Sequence, residues 1–267
     1  MTVHRPRKRF GQHFLKDPGV IDAIIRSIAP QYDDVVVEIG PGLGAITAAL
    51  AARAASVHAI EFDRDLVVSL AGDFAGCENV TIHSADALTF DFSALGRSLR
   101  VVGNLPYNIS TPLLFHLIKY SDHISDMVFM LQKEVVARMA ASPGTKAYGR
   151  LGIMLGCHFK IHALFDVDRL AFDPPPNVTS AVVRLTPLPP DTYTIADEAV
   201  LSNLVTMAFS QRRKTIRNAL KKTVGENELV AAGIDPGIRP EAVSIAAYVE
   251  LANHVAARKT TARSASQ

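Results

Sequence analysis

Between Val35 and about Leu185 the chain alternates short β-branched runs with longer stretches of helical periodicity. That alternation constrains the fold more than any other feature. The runs Val35–Ile39, Val57–Glu61, Val80–His83, Leu99–Val102, Met127–Leu131, Ile161–Val167 and Ala181–Leu185 read as strands. Ala45–Arg53, Arg64–Leu70, Pro112–Tyr120 and Lys133–Met139 read as helices between them. Strand and helix in turn are best satisfied by an α/β, doubly wound, mostly parallel sheet with helices on both faces. Upstream, Asp17-Pro18 has the grammar of an N-cap and a first helical residue, opening a helix through Ile28.

The segment "TPLPPDTY", residues 186–193, crowds three prolines into four positions and predicts a stiff connector. Beyond it the pattern is helical over Asp197–Ser210, Arg212–Lys222, Glu226–Ala232 and Glu241–Arg258. The expected organisation is a catalytic α/β domain with a basic N-terminal arm over residues 1–188, and a small all-helical domain over 189–258. Residues 259–267 are small and polar and are expected to be a disordered tail.

Composition narrows the function classes. No apolar run approaches the roughly 20 residues that a membrane span requires, and the basic start "MTVHRPRKRFGQHFL" lacks an apolar stretch of the secretory kind. Cys77 and Cys157, the only cysteines, give neither a disulfide framework nor metal-ligand spacing, so the expectation is a cytoplasmic protein without a metal. The net charge of +2 hides a segregation. Residues 1–16 carry five Lys/Arg and residues 205–222 carry six, and neither window holds an acid. The remaining 17 bases face all 26 acids. A mildly acidic body with two basic segments suits a polyanionic partner held at particular places.

The first strand ends in "EIGPGLGAIT", where Gly40, Gly42 and Gly44 let backbone approach a nucleotide-like ligand closely. The next strand ends in "HAIEFD", and Glu61 there is placed to accept hydrogen bonds from ribose hydroxyls. The third ends in "HSADAL", which puts Asp86 at the same sheet edge, within reach of an adenine amine. Two acids at successive strand ends, with no grip for a pyrophosphate, favour S-adenosylmethionine over a dinucleotide. The fourth strand delivers Asn104-Leu105-Pro106-Tyr107 to that edge. The Asn104 side-chain oxygen and a main-chain carbonyl at Leu105 or Pro106 are suited to take the two protons of an exocyclic base amine. Proline stiffens the turn, and Tyr107 offers a ring for base stacking.

These motifs stand in a longer series: "FGQHFL", "VVEIGPGLGAIT", "EFDRDL", "NLPYNISTPLLF", "LQKEVVARM", "KAYGRLG", "FDPPPNVTSAVVRL" and "AFSQRRKTIRNAL". Together they resemble the ribosomal RNA adenine dimethyltransferase family, from about Lys8 to Tyr248. The resemblance implies a Rossmann-like methyltransferase domain with a small helical C-terminal domain. It also implies transfer of two methyl groups to each of two adjacent adenosines near the 3′ end of small-subunit ribosomal RNA. Carried over by motif, the S-adenosylmethionine contacts fall on Gln12, His13, Leu15, Gly40, Gly42, Glu61, Asp86 and Asn104. His13 stands where some members have asparagine. The target base is expected to meet Asn104, Leu105, Pro106 and Tyr107, with Phe172 of "AFDPPPNV" stacking from the other side.

In "SQRRKTIRNALKK", Arg213, Arg217 and Lys221 recur at four-residue spacing, as on one face of a helix, and Arg212, Lys214 and Lys222 widen the basic surface. Arg7, Lys8 and Arg9 are candidates for a further RNA contact, as are Lys146 and Arg150 in "SPGTKAYGR". The expected partner is small-subunit ribosomal RNA within an immature subunit, met by a monomer with no membrane association. Two rivals stand: an adenine methyltransferase for DNA, and a non-catalytic assembly factor that keeps the fold for binding.

Overall fold

The structure, a computed structural model, describes residues 12–264, with side chains to residue 259. It divides into two compact units. The first runs to Val136 and resumes over Lys160–Pro187, and the second comprises Ala137–Phe159 and the chain from Leu188 onward. The domain boundary expected near residue 188 is therefore one crossing among several. Ala137–Phe159, expected in the first domain, clusters with the C-terminal helices instead.

The first unit contains β1 (Phe14–Leu15), α1 (Pro18–Ile28), β2 (Val35–Ile39), α2 (Ala45–Ala51), β3 (Ser56–Glu61), α3 (Arg64–Asp73), β4 (Val80–Ser84), β5 (Leu99–Asn104), α4 (Ser110–Ile118) and β6 (Ile124–Gln132). The helix α5 (Lys133–Met139) leads into the second unit, where α6 (Arg150–Gly156) follows. The chain returns through β7 (Phe159–Val167), β8 (Phe172–Asp173) and β9 (Ser180–Pro187). In the seven-stranded sheet the order is β4-β3-β2-β5-β6-β9-β7. Its strands from β4 to β6 pair in parallel, and β9 runs antiparallel to β6. The seven expected strands are all present. The two-stranded pairing of β1 with β8 was not anticipated, because two-residue strands carry no periodicity.

Asp17 caps α1 as its sequence implies: its carboxylate accepts the Val20 N–H at 3.0 Å, with Pro18 in the first turn. The buried face of α1, Ile24, Ile25 and Ile28, packs on Val36, Val102, Val128 and Val182 of four neighbouring strands. At the amino ends of the strands, Arg100 donates to Asp126 on β6 (2.8 Å) and to Asp34, just before β2 (2.7 Å). These largely shielded pairs raise the guanidinium pKa and tie three parallel strands in register. At the other end of β5, Gly103 lies against β2 so closely that a Cβ would overlap the Ile39 carbonyl oxygen.

The second unit is helical: α6, α7 (Glu198–Ser210), α8 (Ile216–Leu220), α9 (Glu226–Ala231) and α10 (Ile245–Ser264). Its core gathers Leu201, Leu204, Val205 and Ala208 of α7 with Tyr148 and Tyr248, whose hydroxyls donate to the Val243 and Pro240 carbonyls. Two expectations are corrected here. The long basic helix over Arg212–Lys222 is not formed. Arg212, Arg213 and Lys214 lie in turns, Thr215 caps a new helix through its hydroxyl, and only Ile216–Leu220 is helical. The tail expected from residue 259 is helical to Ser264, since Lys259–Ser264 holds neither glycine nor proline to stop α10.

Gly103→Ala is expected to lower the unfolding free energy by about 3 kcal/mol, because backbone must move to admit the methyl group. Urea denaturation measures this, and a change under about 0.5 kcal/mol would show that β2 and β5 do not meet so closely.

Candidate active site

A cavity of about 380 Å³ opens in the first unit at the carboxyl ends of the parallel strands. It sits where β2 and β5 are neighbours although two further strands intervene in sequence, the switch point at which open α/β sheets bind ligands. Gln12, His13, Leu15, Gly40, Gly42, Glu61, Asp86, Asn104, Leu105, Pro106 and Tyr107 all line it.

The turn after β2 builds one wall. Gly42 has φ +59° and faces the Phe14 ring, which a Cβ would approach to 3.0 Å, so this position requires glycine on both counts. After β3, one Glu61 oxygen accepts the N–H groups of Phe62 and Asp63, each at 2.8 Å. Burial raises the Glu61 pKa, and these backbone donors oppose the rise. Asp63 caps α3 and accepts from the Gln12 amide at 3.0 Å, so the segment before β1 is bound to this wall. Asp86, beyond β4, accepts the Leu88 N–H at 2.9 Å.

The other wall is the turn after β5. Leu105 N–H donates to the Met130 carbonyl (3.1 Å), and the Pro106 carbonyl accepts from Ile109 N–H (3.1 Å). The Asn104 amide nitrogen donates to the His13 carbonyl at 3.0 Å, which turns the amide so that its oxygen is left to accept from a ligand. The His13 imidazole bonds the Pro174 carbonyl at 2.7 Å through Nδ1 and stacks on the Tyr107 ring, with centroids 5.9 Å apart. The Tyr107 hydroxyl reaches Ser180 at 2.8 Å.

Some expected site residues lie elsewhere. Phe172 does not line the cavity: it is fully buried in the core with Leu15, Val36 and Val182, paired with Leu15 across the β1–β8 ladder. A ring without an exposed face cannot stack on a base, so this aromatic is a core residue. Lys146, Arg150, Arg213, Lys214, Arg217, Lys221 and Lys222 are exposed in the second unit. Arg212 is engaged with Glu241 (3.3 Å) and the Lys146 carbonyl (2.8 Å), Arg217 with Glu226 (3.3 Å), and Arg150 with Ser202 (3.3 Å). Arg7, Lys8 and Arg9 lie outside the described residues. Conversely, the sequence reading missed Glu38, Asp63 and the half-exposed Phe62 on the cavity wall. The signal for Glu38 was an acid inside an otherwise apolar strand, "VVVEI", immediately before the glycine turn. It is buried, hydrogen-bonded by Thr47 at 2.6 Å, and burial pushes its pKa up to about 7, with the Glu61 charge adding to the rise.

Among the described residues lining the cavity none is Lys or Arg, and its charged side chains are the acids Glu38, Glu61, Asp63 and Asp86. Acids near a sulfonium-bearing nucleoside are favourable, and the volume falls within the usual range of small-ligand sites. Residues 3–257 match the family model described as ribosomal RNA adenine dimethylase. The chain belongs to that family. It is an adenine dimethyltransferase of ribosomal RNA, with S-adenosylmethionine as the methyl donor. It is 53% identical to a ribosomal RNA small subunit methyltransferase A of Aromatoleum aromaticum, over 98% of each chain. Among solved structures it resembles a dimethyladenosine transferase of Plasmodium falciparum, with TM-score 0.75 and 28% identity over 90% of this chain and 96% of that one. It also resembles the 23S rRNA methyltransferase ErmE, with TM-score 0.73 and 26% identity over 91% of this chain and 99% of that one.

Glu38 supplies a test of the site's electrostatics. Its folded pKa lies above the unfolded value, so its contribution to stability is fully present below about pH 4.5 and declines until the pH passes about 7. Glu38→Gln keeps an acceptor for Thr47 without the titration. Its urea midpoint relative to wild type is expected to rise between pH 4.5 and 7 and to level off above. A difference independent of pH would show that Glu38 is not held protonated.

Proposed function

We propose that the chain dimethylates the N6 amines of two adjacent adenosines near the 3′ end of small-subunit ribosomal RNA, and that it meets this RNA as a cytoplasmic monomer acting on an immature subunit. The observation that carries the chemistry is the fixed Asn104 amide, whose nitrogen is held by the His13 carbonyl. The choice of small-subunit RNA over 23S RNA rests on identity: 53% to the relative named for the small subunit, against 26% to the one named for 23S.

S-adenosylmethionine supplies an electrophilic methyl group on a sulfonium. Glu61 would accept its ribose hydroxyls and Asp86 its adenine amine, Gly40 and Gly42 would let the backbone approach it, and Gln12, His13 and Leu15 line the same cavity. Asn104 Oδ1 accepts one proton of the target N6 amine. The Leu105 carbonyl is the better second acceptor, since the Pro106 carbonyl already serves the turn. Two acceptors localise lone-pair density on nitrogen and aim it, so no strong base is needed before transfer. The nitrogen that has gained the methyl group carries a positive charge and is far more acidic, so its proton passes to solvent water. Tyr107 stacks on the extruded adenine. In the second unit, the exposed cations Arg213, Lys214, Lys221 and Lys222 track phosphates, which positions the RNA without reading its sequence.

Asn104→Ala is expected to slow methyl transfer by about 100-fold or more while RNA binding stays within about two-fold. Labelled S-adenosylmethionine offered with immature small subunits, naked RNA or duplex DNA reads both this loss and the substrate. Transfer to duplex DNA, or undiminished activity of the variant, would overturn the assignment. Arg213→Ala with Lys214→Ala should flatten the logarithmic salt dependence of RNA binding by about one for each phosphate no longer neutralised. The Arg217 charge is already opposed by Glu226, so Arg217→Ala should change the slope less. An unchanged slope in the double variant would remove that turn from the RNA interface.

A further inference from the structure

Ser180 opens β9 and is fully buried, followed by the equally buried Ala181, Val182 and Val183. A hydroxyl in such a run is costly unless it is bonded, and an alanine would pack there without that cost. Its side-chain bond goes to the Tyr107 phenol at 2.8 Å. The two ends of this bond differ in rigidity. Ser180 is in register with Gln132 of β6, and the preceding Thr179 carbonyl accepts the Lys133 N–H at 3.0 Å, so the serine is part of the sheet frame. Tyr107 sits in the turn after β5, with two side-chain torsions to fix. The bond pins the tip of its ring, and the His13 imidazole, inclined at 29°, covers one face. Tip and face together define a plane for a ring that lines the cavity.

We infer that Ser180 is a positioning residue for methyl transfer: its hydroxyl fixes the Tyr107 ring in the plane from which it stacks on the target adenine. This rests on the stacking role given to Tyr107 above. Ser180 touches neither the methyl donor nor the amine. Removing its hydroxyl lets the ring tilt, and the adenine amine then drifts from the line between the Asn104 oxygen and the incoming methyl group. A displacement of that kind costs rate and not cofactor affinity.

The test uses the full chain with Ser180→Ala, Tyr107→Phe, the double variant and Tyr107→Ala. Single-turnover methyl transfer to immature small subunits is measured alongside the S-adenosylmethionine Kd. Ser180→Ala and Tyr107→Phe are each expected to slow transfer by about ten-fold, the double variant no more than either, with the cofactor Kd within about two-fold of wild type. Tyr107→Phe removes the same bond without touching the buried serine position, so the inference stays testable if Ser180→Ala folds poorly. A wild-type rate in Ser180→Ala overturns the inference. So does a double variant whose loss is the product of the two single losses, or a rate loss matched by loss of cofactor affinity. If Tyr107→Ala itself transfers methyl groups at the wild-type rate, the stacking role fails and the Ser180 inference with it. A slow Tyr107→Ala beside an unaffected Ser180→Ala removes Ser180 alone.

Discussion

The close approach of β2 and β5 is the contact on which the rest of the first unit depends. These strands are neighbours in the sheet, yet the chain makes β3 and β4 between them, so their loops diverge and leave a crevice. The glycine turn after β2 forms one lip and the Asn104–Tyr107 turn the other. Gly103 lets the strands run together to the last pair before the lips part, since any side chain there would strike the Ile39 carbonyl. Arg100 closes the opposite ends of β2, β5 and β6 through Asp34 and Asp126. The position of Asn104 relative to Gly40 is thus set twice, by an ion cluster at one end of the strands and by a missing Cβ at the other.

Acids and exposed cations are segregated between the cavity of the first unit and the 211–222 segment of the second. The cavity is lined by Glu38, Glu61, Asp63 and Asp86, and by no lysine or arginine among the described residues. The ionised acids of such a site suit a cationic methyl donor. The exposed cations of the 211–222 segment, proposed above to meet RNA phosphates, lie in the other unit. Acids that crowd one another need donors or protons. Glu61 receives backbone N–H groups, while Glu38 is held by Thr47 and favours its neutral form.

Much of this was legible in the sequence, for identifiable reasons. The strands of a covered sheet are short apolar runs, and the acids at their ends stand out against them, so Glu61, Asp86 and Asn104 could be placed at one edge before any coordinates. Helix ends followed where a side chain caps, as at Asp17. What failed were features decided by tertiary contact. The basic segment has helical spacing, but Thr215 restarts the helix and leaves Arg212, Arg213 and Lys214 in turns. The glycines at 149, 152 and 156 disguised α6, although Gly152 is required where a Cβ would meet the Arg138 carbonyl at 2.8 Å. Phe172 next to a proline loop looked like a ligand contact. Its burial follows from pairing with Leu15, which no local pattern reveals.

The segment before α1 orients Asn104 through its main chain and not through a side chain. His13 holds Asn104 through its main-chain carbonyl, an atom that every residue possesses. The side chain at 13 is therefore released from the orienting role, which any residue there could fill through its carbonyl. In this chain the imidazole serves two other contacts, the Pro174 carbonyl and the face of Tyr107. Backbone thus fixes the amide proposed to accept from the amine, and side chains fix the ring proposed to stack on the base. On that proposal a fault in the first would remove the reaction, whereas a fault in the second would misplace the substrate within it.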